Sequence, residues 1–126
     1  MCGIAGLYSF ANRAIEGLEQ KLTVMNQLIA HRGPDDQGIW QSKQQQIGLA
    51  HRRLSIIDLS SCAHQPMIGE NGHVIIFNGE IYNYRQLREQ LAGHWDFKST
   101  SDTEVILAAY ARYGADCLQH LRGMFA

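Results

Sequence analysis

The first six residues of the chain read MCGIAG (residues 1–6), with a cysteine directly behind the initiator methionine. Residues 2–10 mix apolar and small side chains, a pattern that predicts a buried strand whose glycines allow close approach of backbone or ligand. This strand would hold the N-terminus inside the fold. Removal of Met1 would leave Cys2 with a thiol and a free α-amine, and an amine that titrates near ~7.7–8 can deprotonate a thiol. Alone, this is a weak signal for a nucleophile, because a cysteine near an N-terminus is usually a small hydrophobic residue entering a strand.

The elements that follow this strand alternate in type. Apolar residues recur at spacings of three and four over residues 15–29, which predicts a helix with one buried face. Gly-Pro chemistry in HRGPDD (residues 31–36) predicts a loop. The segments 37–40, 47–57 and 73–77 are rich in apolar and β-branched residues and predict strands, with a sharp stop at Asn78-Gly79.

The C-terminal part of the sequence is mainly helical. A short amphipathic helix is predicted from Tyr84 to near Gly93, and a longer one over residues 105–114, with Ser101 and Glu104 at capping-box spacing before it. The last four residues, GMFA (residues 123–126), resemble the beginning of a strand. The sequence therefore predicts a single α+β domain in which sheets and helices form layers.

Composition argues against several classes of function. The 126 residues are 45% hydrophobic and 18% charged with a net charge of −1, so we expect neither nucleic-acid nor membrane binding, and a cytoplasmic protein. Cys2, Cys62 and Cys117 are odd in number and lack metal-ligand spacing, which argues against a disulfide framework and a zinc site. Asp35 and Asp36 have no third ligand at suitable spacing, so no metal is expected there.

Four separated motifs together resemble one family. They are MCGIAG (residues 1–6), HRGPDD (31–36), FNGEIYN (77–83) and SDTEVI (101–106). The chain is similar over its whole length to class II glutamine amidotransferase domains, which are N-terminal-nucleophile hydrolases. RLSIID (53–58) and GMFA (123–126) resemble the glutamine-hydrolysing asparagine synthetase branch. The resemblance implies a four-layer αββα sandwich over residues 1–126, with part of the domain expected to lie beyond Ala126 and the synthetase domain expected to be absent.

The resemblance also implies catalytic residues. Cys2, freed of Met1, would attack the side-chain amide of glutamine, and its own α-amine would carry the proton to the departing ammonia. Asn78 and the backbone N–H of Gly79 would stabilise the oxyanion. Asn78-Gly79 is also a common hairpin turn, and this alternative stays open. His51 and His64 are expected to be structural, because the amine already supplies the base.

The implied substrate-binding residues are Arg53, Ile56, Glu80 and Asp102. Arg53 would bind the α-carboxylate by a two-pronged contact, whereas its neighbour Arg52 would point to the opposite face of the strand. Glu80 and Asp102 would hold the α-ammonium. Asp102 has a structural alternative, because a carboxylate at a helix N-terminus is favoured by the macrodipole without any ligand.

The resemblance implies L-glutamine as substrate and a synthetase domain or partner protein that consumes the ammonia to form asparagine. No cofactor is expected for the glutaminase step, and ATP and magnesium would belong to the synthetase domain. A homodimer of the full-length protein is a further expectation. Two alternatives remain: an amidotransferase that feeds another acceptor in surface-polysaccharide or secondary-metabolite synthesis, and a catalytically silent folding or docking module.

Overall fold

The computed structural model describes residues 2–56, 58 and 60–126. The strands in this part of the chain are β1 (Gly3–Tyr8), β2 (Asp36–Gln41), β3 (Ile47–Arg53), β4 (Met67–Ile68), β5 (Val74–Ile75), β6 (Gly79–Ile81) and β7 (Gly123–Phe125). The helices are α1 (Leu18–Leu28), α2 (Tyr84–Leu91) and α3 (Asp102–Tyr113), and short 3-10 segments cover Ala30–Arg32, Ser61–Ala63 and Gly114–Gln119. The α+β class predicted from the sequence is confirmed.

The N-terminal half is an antiparallel sheet in the order β1-β3-β2, with α1 packed on one face. Leu18 and Leu22 of the helix bury their side chains against Ala50 of β3. Burial of a leucine side chain contributes roughly 1.5–3 kcal/mol to stability. Gly48 lies under the same helix, and a Cβ at this position would approach the Leu18 and Leu22 methyl groups to 2.7 Å. The close seating of α1 therefore depends on a glycine in β3.

Alternation along β3 sends neighbouring side chains to opposite faces of the sheet. Arg52 turns towards α1, where its Nε donates to the carbonyl of Asn26 at 3.0 Å. His51 and Arg53 project from the other face, and the His51 ring contacts the carbonyl of Phe77. The predicted opposition of Arg52 and Arg53 is confirmed. The face that bears His51 and Arg53 meets the C-terminal half of the molecule.

The C-terminal half packs α2 and α3 behind the antiparallel pair β6-β7. Its core contains the buried side chains of Phe77, Ile81, Leu87, Leu91, Val105, Ala108, Ala109, Cys117 and Leu121. Ser101 caps α3 by accepting a hydrogen bond from the Glu104 N–H at 3.3 Å. The Glu104 carboxylate does not complete the predicted capping box, because it accepts hydrogen bonds from Trp95, Lys98 and Ser99 instead.

Most predicted elements are present with shifted ends. The helix predicted over residues 15–29 is α1, and Gly114 ends α3 with a φ of 59°. The strand predicted over residues 47–57 ends at Arg53, and Ile57 lies outside the described residues. The sharp stop predicted at Asn78-Gly79 is wrong: the backbone of Asn78 pairs with Ala126, and Gly79 begins β6.

No helix in the described ranges is long and apolar enough to cross a membrane.

Candidate active site

A cavity of about 160 Å³ lies between the two halves of the molecule. Given the volume that one water molecule needs, a cavity of this size has room for on the order of ten water-sized groups. This is enough for a small amino acid. Its lining includes every residue that the sequence assigned to the site: Cys2, Arg53, Ile56, Asn78, Gly79, Glu80 and Asp102. Residues far apart in the chain therefore meet around one small cavity.

Cys2 directly precedes β1 and is a half-buried residue. Its Sγ accepts a long hydrogen bond from the Leu54 N–H at 3.4 Å and lies 3.7 Å from the Leu54 carbonyl oxygen. The Cys2 carbonyl accepts from Arg32 Nε at 3.2 Å. The main chain of Cys2 is thus held in place, while its sulfur makes only weak contacts. Met1, whose removal would free the α-amine of Cys2, lies outside the described residues.

The loop after α1 supports this arrangement from behind the cavity. Arg32 holds the Cys2 carbonyl, and Gly33 is packed so closely on β3 that a Cβ would lie 2.5 Å from the Arg52 carbonyl carbon. The Asp35 N–H donates to the Arg53 carbonyl at 3.0 Å, and the Asp35 carboxylate accepts from the Ser55 N–H at 2.7 Å. This loop aligns Cys2 with the end of β3 without entering the cavity.

Arg53 is buried, with 7% of its surface exposed, in the wall opposite α1. Its guanidinium donates to the main-chain carbonyls of Asp58 and of Ser60, the latter at 3.0 Å. Within the described ranges, no carboxylate lies at ion-pair distance from it. Because arginine carries five N–H donors, a fixed guanidinium with spare donors faces the cavity and suits a carboxylate ligand.

The register of β6 and β7 fixes the direction of the Gly79 N–H. Asn78 exchanges two hydrogen bonds with Ala126, each 2.9 Å long, and the Tyr82 N–H donates to Arg122 at 2.7 Å. In an antiparallel ladder such pairs alternate with residues whose N–H groups point away from the partner strand. The Gly79 N–H therefore points away from β7, on the same side as the Ile81 N–H, which donates to Asp102.

Asn78 brings an amide side chain to the cavity beside this N–H. Its Oδ1 is buried and has no hydrogen-bond partner among the described residues. A buried amide oxygen without a partner is uncommon, since it forfeits roughly 1–3 kcal/mol of solvation. An amide left free in this way can turn its Nδ2–H towards a ligand without breaking a contact of the Oδ1 atom. Asn78 and Gly79 thus supply neighbouring donors.

Asp102 is one of two buried carboxylates in the cavity lining, the other being Asp58. Asp102 is the first residue of α3, with 5% of its surface exposed, and its Oδ2 accepts from the Ile81 N–H at 3.0 Å. Burial raises the pKa of Asp102, against hydrogen bonds that lower it, and the nearby Glu80 charge raises it further. Glu80 itself is exposed. A cationic group bound beside the two carboxylates would offset both the desolvation of the Asp102 charge and its repulsion from Glu80.

Ile56 lies on the rim of the cavity, where 72% of its surface is exposed. It follows directly on the segment that carries Arg53 and Leu54 and forms part of the apolar lining. Its place suits an apolar contact with the stem of a ligand at the cavity mouth.

Asp58 was missed as an organising residue, although it ends the RLSIID motif. One carboxylate oxygen accepts from the N–H and hydroxyl of Ser60, and the other accepts from the N–H and hydroxyl of Thr100. Burial alone would raise the pKa of Asp58, but these hydrogen bonds outweigh it and hold the pKa well below its usual value. Asp58 thereby connects the segment that follows β3 to the turn before α3.

The two histidines that could be mistaken for a catalytic base have other contacts. His64 Nδ1 lies 2.7 Å from the Asp36 carboxylate, and neither residue lines the cavity. His51 is fully buried against Phe77, and burial lowers its pKa to about 4. Among the described residues, no group of three His, Cys, Asp or Glu side chains could hold a metal ion.

The cavity brings Cys2 together with two neighbouring N–H donors, at Asn78 and Gly79, and with charged side chains of both signs. The family model described as a glutamine amidotransferase domain matches residues 1–126. The chain belongs to the class II glutamine amidotransferase domain family.

Three relatives are each much longer than this chain. Asparagine synthetase [glutamine-hydrolyzing] 1 of Bacillus subtilis is 43% identical, with 100% of this chain aligned to 20% of that protein. Putative asparagine synthetase [glutamine-hydrolyzing] 2 of Methanocaldococcus jannaschii is 39% identical over 100% of this chain and 27% of its own length. Amidase chry2 of Gibberella zeae is 41% identical, with 100% of this chain aligned to 20% of that protein. The chain spans about a fifth to a quarter of these relatives.

Proposed function

We propose that this chain hydrolyses free L-glutamine to glutamate and ammonia. The observation that carries the proposal is the convergence of Cys2, Asn78 and Gly79 with charged residues of both signs on one cavity of amino-acid size. Family membership adds the reaction class, because the matching model describes a glutamine amidotransferase domain.

Substrate recognition follows from the charges of the cavity. Arg53, held by two main-chain carbonyls, would bind the α-carboxylate, and Asp102 with Glu80 would bind the α-ammonium. Both groups must be free for these contacts to form, so the site favours a free amino acid over a glutamine inside a peptide. The side-chain amide would then extend towards Cys2, with Ile56 beside the stem.

The chemistry requires Met1 to be removed. The Cys2 thiol gives its proton to the α-amine while its sulfur forms a bond to the amide carbon of glutamine. The negative charge on the former carbonyl oxygen is stabilised by Asn78 and the Gly79 N–H. The carbon–nitrogen bond then breaks, and the protonated amine supplies the proton that ammonia needs to leave. Water attacks the thioester carbon, which releases glutamate and restores the thiol.

The ammonia would pass to a synthetase domain that forms asparagine. The names of the Bacillus subtilis and Methanocaldococcus jannaschii relatives support this acceptor, and amidase chry2 supports the alternative that another carboxylate is amidated. We assign ATP and magnesium to the synthetase domain, because the glutaminase step needs only the thiol, the amine and the oxyanion donors. A homodimer of the full-length protein and a cytoplasmic location stay predictions.

We infer that the four-layer αββα architecture of N-terminal-nucleophile hydrolases underlies the fold. Three contacts support it: α1 covers one face of β1-β3-β2, His51 on the other face contacts Phe77, and α2 with α3 packs behind β6-β7. The cavity would then lie between the two inner sheets, which explains why its lining comes from both halves.

The test is an intact-mass measurement on the natural protein, before and after 6-diazo-5-oxonorleucine, together with an assay of ammonia release from glutamine. We expect loss of one methionine, a single adduct that maps to Cys2, and glutamine-dependent ammonia. A processed protein that takes no adduct and releases no ammonia would instead support a silent docking module. Ammonia release without ATP-dependent asparagine formation would point to another acceptor.

A further inference from the structure

Side chains from outside the β6-β7 pair form hydrogen bonds with the segment that leads to Asn78 and Gly79. The Phe77 N–H donates to Gln65 Oε1 at 2.7 Å, and the Phe77 carbonyl lies 3.1 Å from His51 Nε2. All three residues are buried. Both main-chain groups of the residue immediately before Asn78 are therefore satisfied by side chains, which is unusual because backbone groups mostly pair with other backbone groups.

These contacts fix the peptide planes that lead to Gly79. The Phe77–Asn78 plane is held by His51 at its carbonyl and by Ala126, which accepts from the Asn78 N–H at 2.9 Å. The next plane is held by the Ala126 N–H on the Asn78 carbonyl, also at 2.9 Å. Because a trans peptide sets its N–H opposite its carbonyl, the direction of the Gly79 N–H follows from this chain of contacts.

The same two side chains join the separate walls of the cavity. His51 belongs to β3, where it pairs with Ile4 of the strand that begins with Gly3, beside Cys2. Gln65 donates through Nε2 to Thr103 Oγ1 at 3.2 Å, one residue after Asp102. His51 thus spaces the oxyanion segment from the nucleophile strand, and Gln65 spaces it from the start of α3.

The hydrogen-bonding state of His51, which leaves one ring nitrogen unpaired, supports a positional role. Since a carbonyl can only accept, Nε2 must carry the ring proton, and Nδ1 is left as a bare acceptor. Nδ1 is buried and has no partner among the described residues. An unpaired buried acceptor is unfavourable, because it loses its hydrogen bond to water without replacement. The fold keeps this histidine neutral and incompletely paired while retaining its one hydrogen bond, to Phe77.

We propose that His51 and Gln65 are positioning residues for the oxyanion hole, which set the location of Asn78 and Gly79 relative to Cys2 through the main chain of Phe77. This inference rests on the proposed glutaminase function. Neither residue is catalytic, because each acts through Phe77. Oxyanion donors act on charge that develops only in the transition state, so their displacement lowers kcat and leaves the KM for glutamine nearly unchanged.

The test compares two disrupting variants with two conservative ones in the full natural protein. His51→Leu and Gln65→Met remove the hydrogen bonds to Phe77. His51→Gln keeps an amide N–H near the position of Nε2, and Gln65→Glu keeps an acceptor for the Phe77 N–H. We expect kcat for glutamine hydrolysis to fall by up to about 100-fold in the disrupting pair, the effect of an ångström-scale misplacement. The conservative pair recovers most of that loss.

Matched controls come from a histidine and a glutamine outside the cavity lining. His64→Leu removes a contact to Asp36, and Gln41→Met changes a side chain whose buried Oε1 has no partner among the described residues. We expect both to leave kcat and KM unchanged. The alkylation rate of Cys2 by iodoacetamide, read on the N-terminal peptide, involves no oxyanion and should stay the same in all six variants.

The outcomes separate the two proposals. A wild-type protein without glutaminase activity overturns the proposed function and this inference with it. An active wild type whose disrupting variants keep their kcat, or change only KM, overturns the inference alone. Thermal unfolding gives the folded fraction of each variant, and a kcat loss that disappears after correction for that fraction also overturns it. A loss of kcat per folded molecule, recovered by the conservative pair, supports it.

Discussion

The two walls of the cavity are held to different degrees. On the nucleophile wall, the Cys2 sulfur has only long contacts with the main chain of Leu54. On the opposite wall, the backbone N–H groups on either side of Gly79 are occupied, that of Phe77 by Gln65 and that of Ile81 by Asp102. The difference lies in the main chain: the Cys2 sulfur is loosely held, whereas the backbone that leads to and from Gly79 is held by hydrogen bonds. Under the proposed function, the bond-forming sulfur would be free to move, and the Gly79 N–H would be oriented before the reaction.

The largest expected effect comes from the loosely held wall. Cys2→Ala should lower kcat for glutamine hydrolysis by roughly 10⁴- to 10⁶-fold, the range seen when a covalent nucleophile is removed. Because Sγ makes only weak contacts, the midpoint of thermal unfolding and the affinity for glutamine should change little. Ammonia release, calorimetric titration and thermal unfolding measure the three quantities. Cys62→Ala, at an exposed position outside the cavity lining, is the control and should behave as wild type.

A smaller loss is expected on the fixed wall. Asn78→Ala should lower kcat by about 100- to 1,000-fold with little change in KM, because it removes one oxyanion donor. The matched control is Asn83→Ala, beyond the other end of β6, where Oδ1 accepts from the Arg122 N–H and Nδ2 donates to His120, both at 2.9 Å. We expect that change to lower thermal stability and spare kcat. If the two variants showed the same pattern, the assignment of Asn78 would be wrong.

The fixed wall should also make stability depend on pH. His51 has a pKa of about 4 when folded and 6.5 as its ordinary value, and the cause is burial. Above pH 6.5 both states are neutral. As the pH falls from 6.5 towards 4 the unfolded state binds the extra proton, so the free energy of unfolding should drop by up to about 3 kcal/mol.

Nearby charges set the details of this pH dependence. Burial lowers the His51 pKa most. The hydrogen bond to the Phe77 carbonyl and the charge of Asp36 raise the pKa, whereas the charges of Arg53 and His64 lower it. Asp58 and Glu104 have lowered pKa values in the folded state, so their contribution to stability is complete above their ordinary pKa values and is lost as the pH falls from there towards the folded values. Urea unfolding at several pH values should therefore show a slope between pH 6.5 and 4 that His51→Gln removes. An unchanged slope in that variant would assign the effect to another group.

The sequence predicted the contents of the cavity better than its construction. Cys2, Arg53 and Asp102 were placed by motif resemblance, and the ranges of α1 and α3 followed from hydrophobic period and caps. Asn78-Gly79 was misread as a stop, because local turn preference yields to pairing with a strand that comes much later in the chain. The links made by His51, Gln65 and Asp58 were not foreseen. Each joins residues distant in sequence, such as Asp58 and Thr100, 42 positions apart, and a linear pattern does not encode such pairs.

Arg53 tests whether the substrate-binding part of the cavity is as fixed as the oxyanion segment. Arg53→Lys keeps the charge and loses the planar fork, which both binds the carbonyls of Asp58 and Ser60 and offers paired donors to a carboxylate. The loss of a charge-assisted hydrogen bond should lower kcat/KM by about 10- to 100-fold, mainly through KM. Arg52→Lys is the control, because Arg52 turns to α1. A rise in KM at unchanged kcat, seen in Arg53→Lys and not in Arg52→Lys, would show that Arg53 binds the substrate equally well in the ground state and the transition state. If kcat fell as much as kcat/KM, Arg53 would instead position the amide for attack.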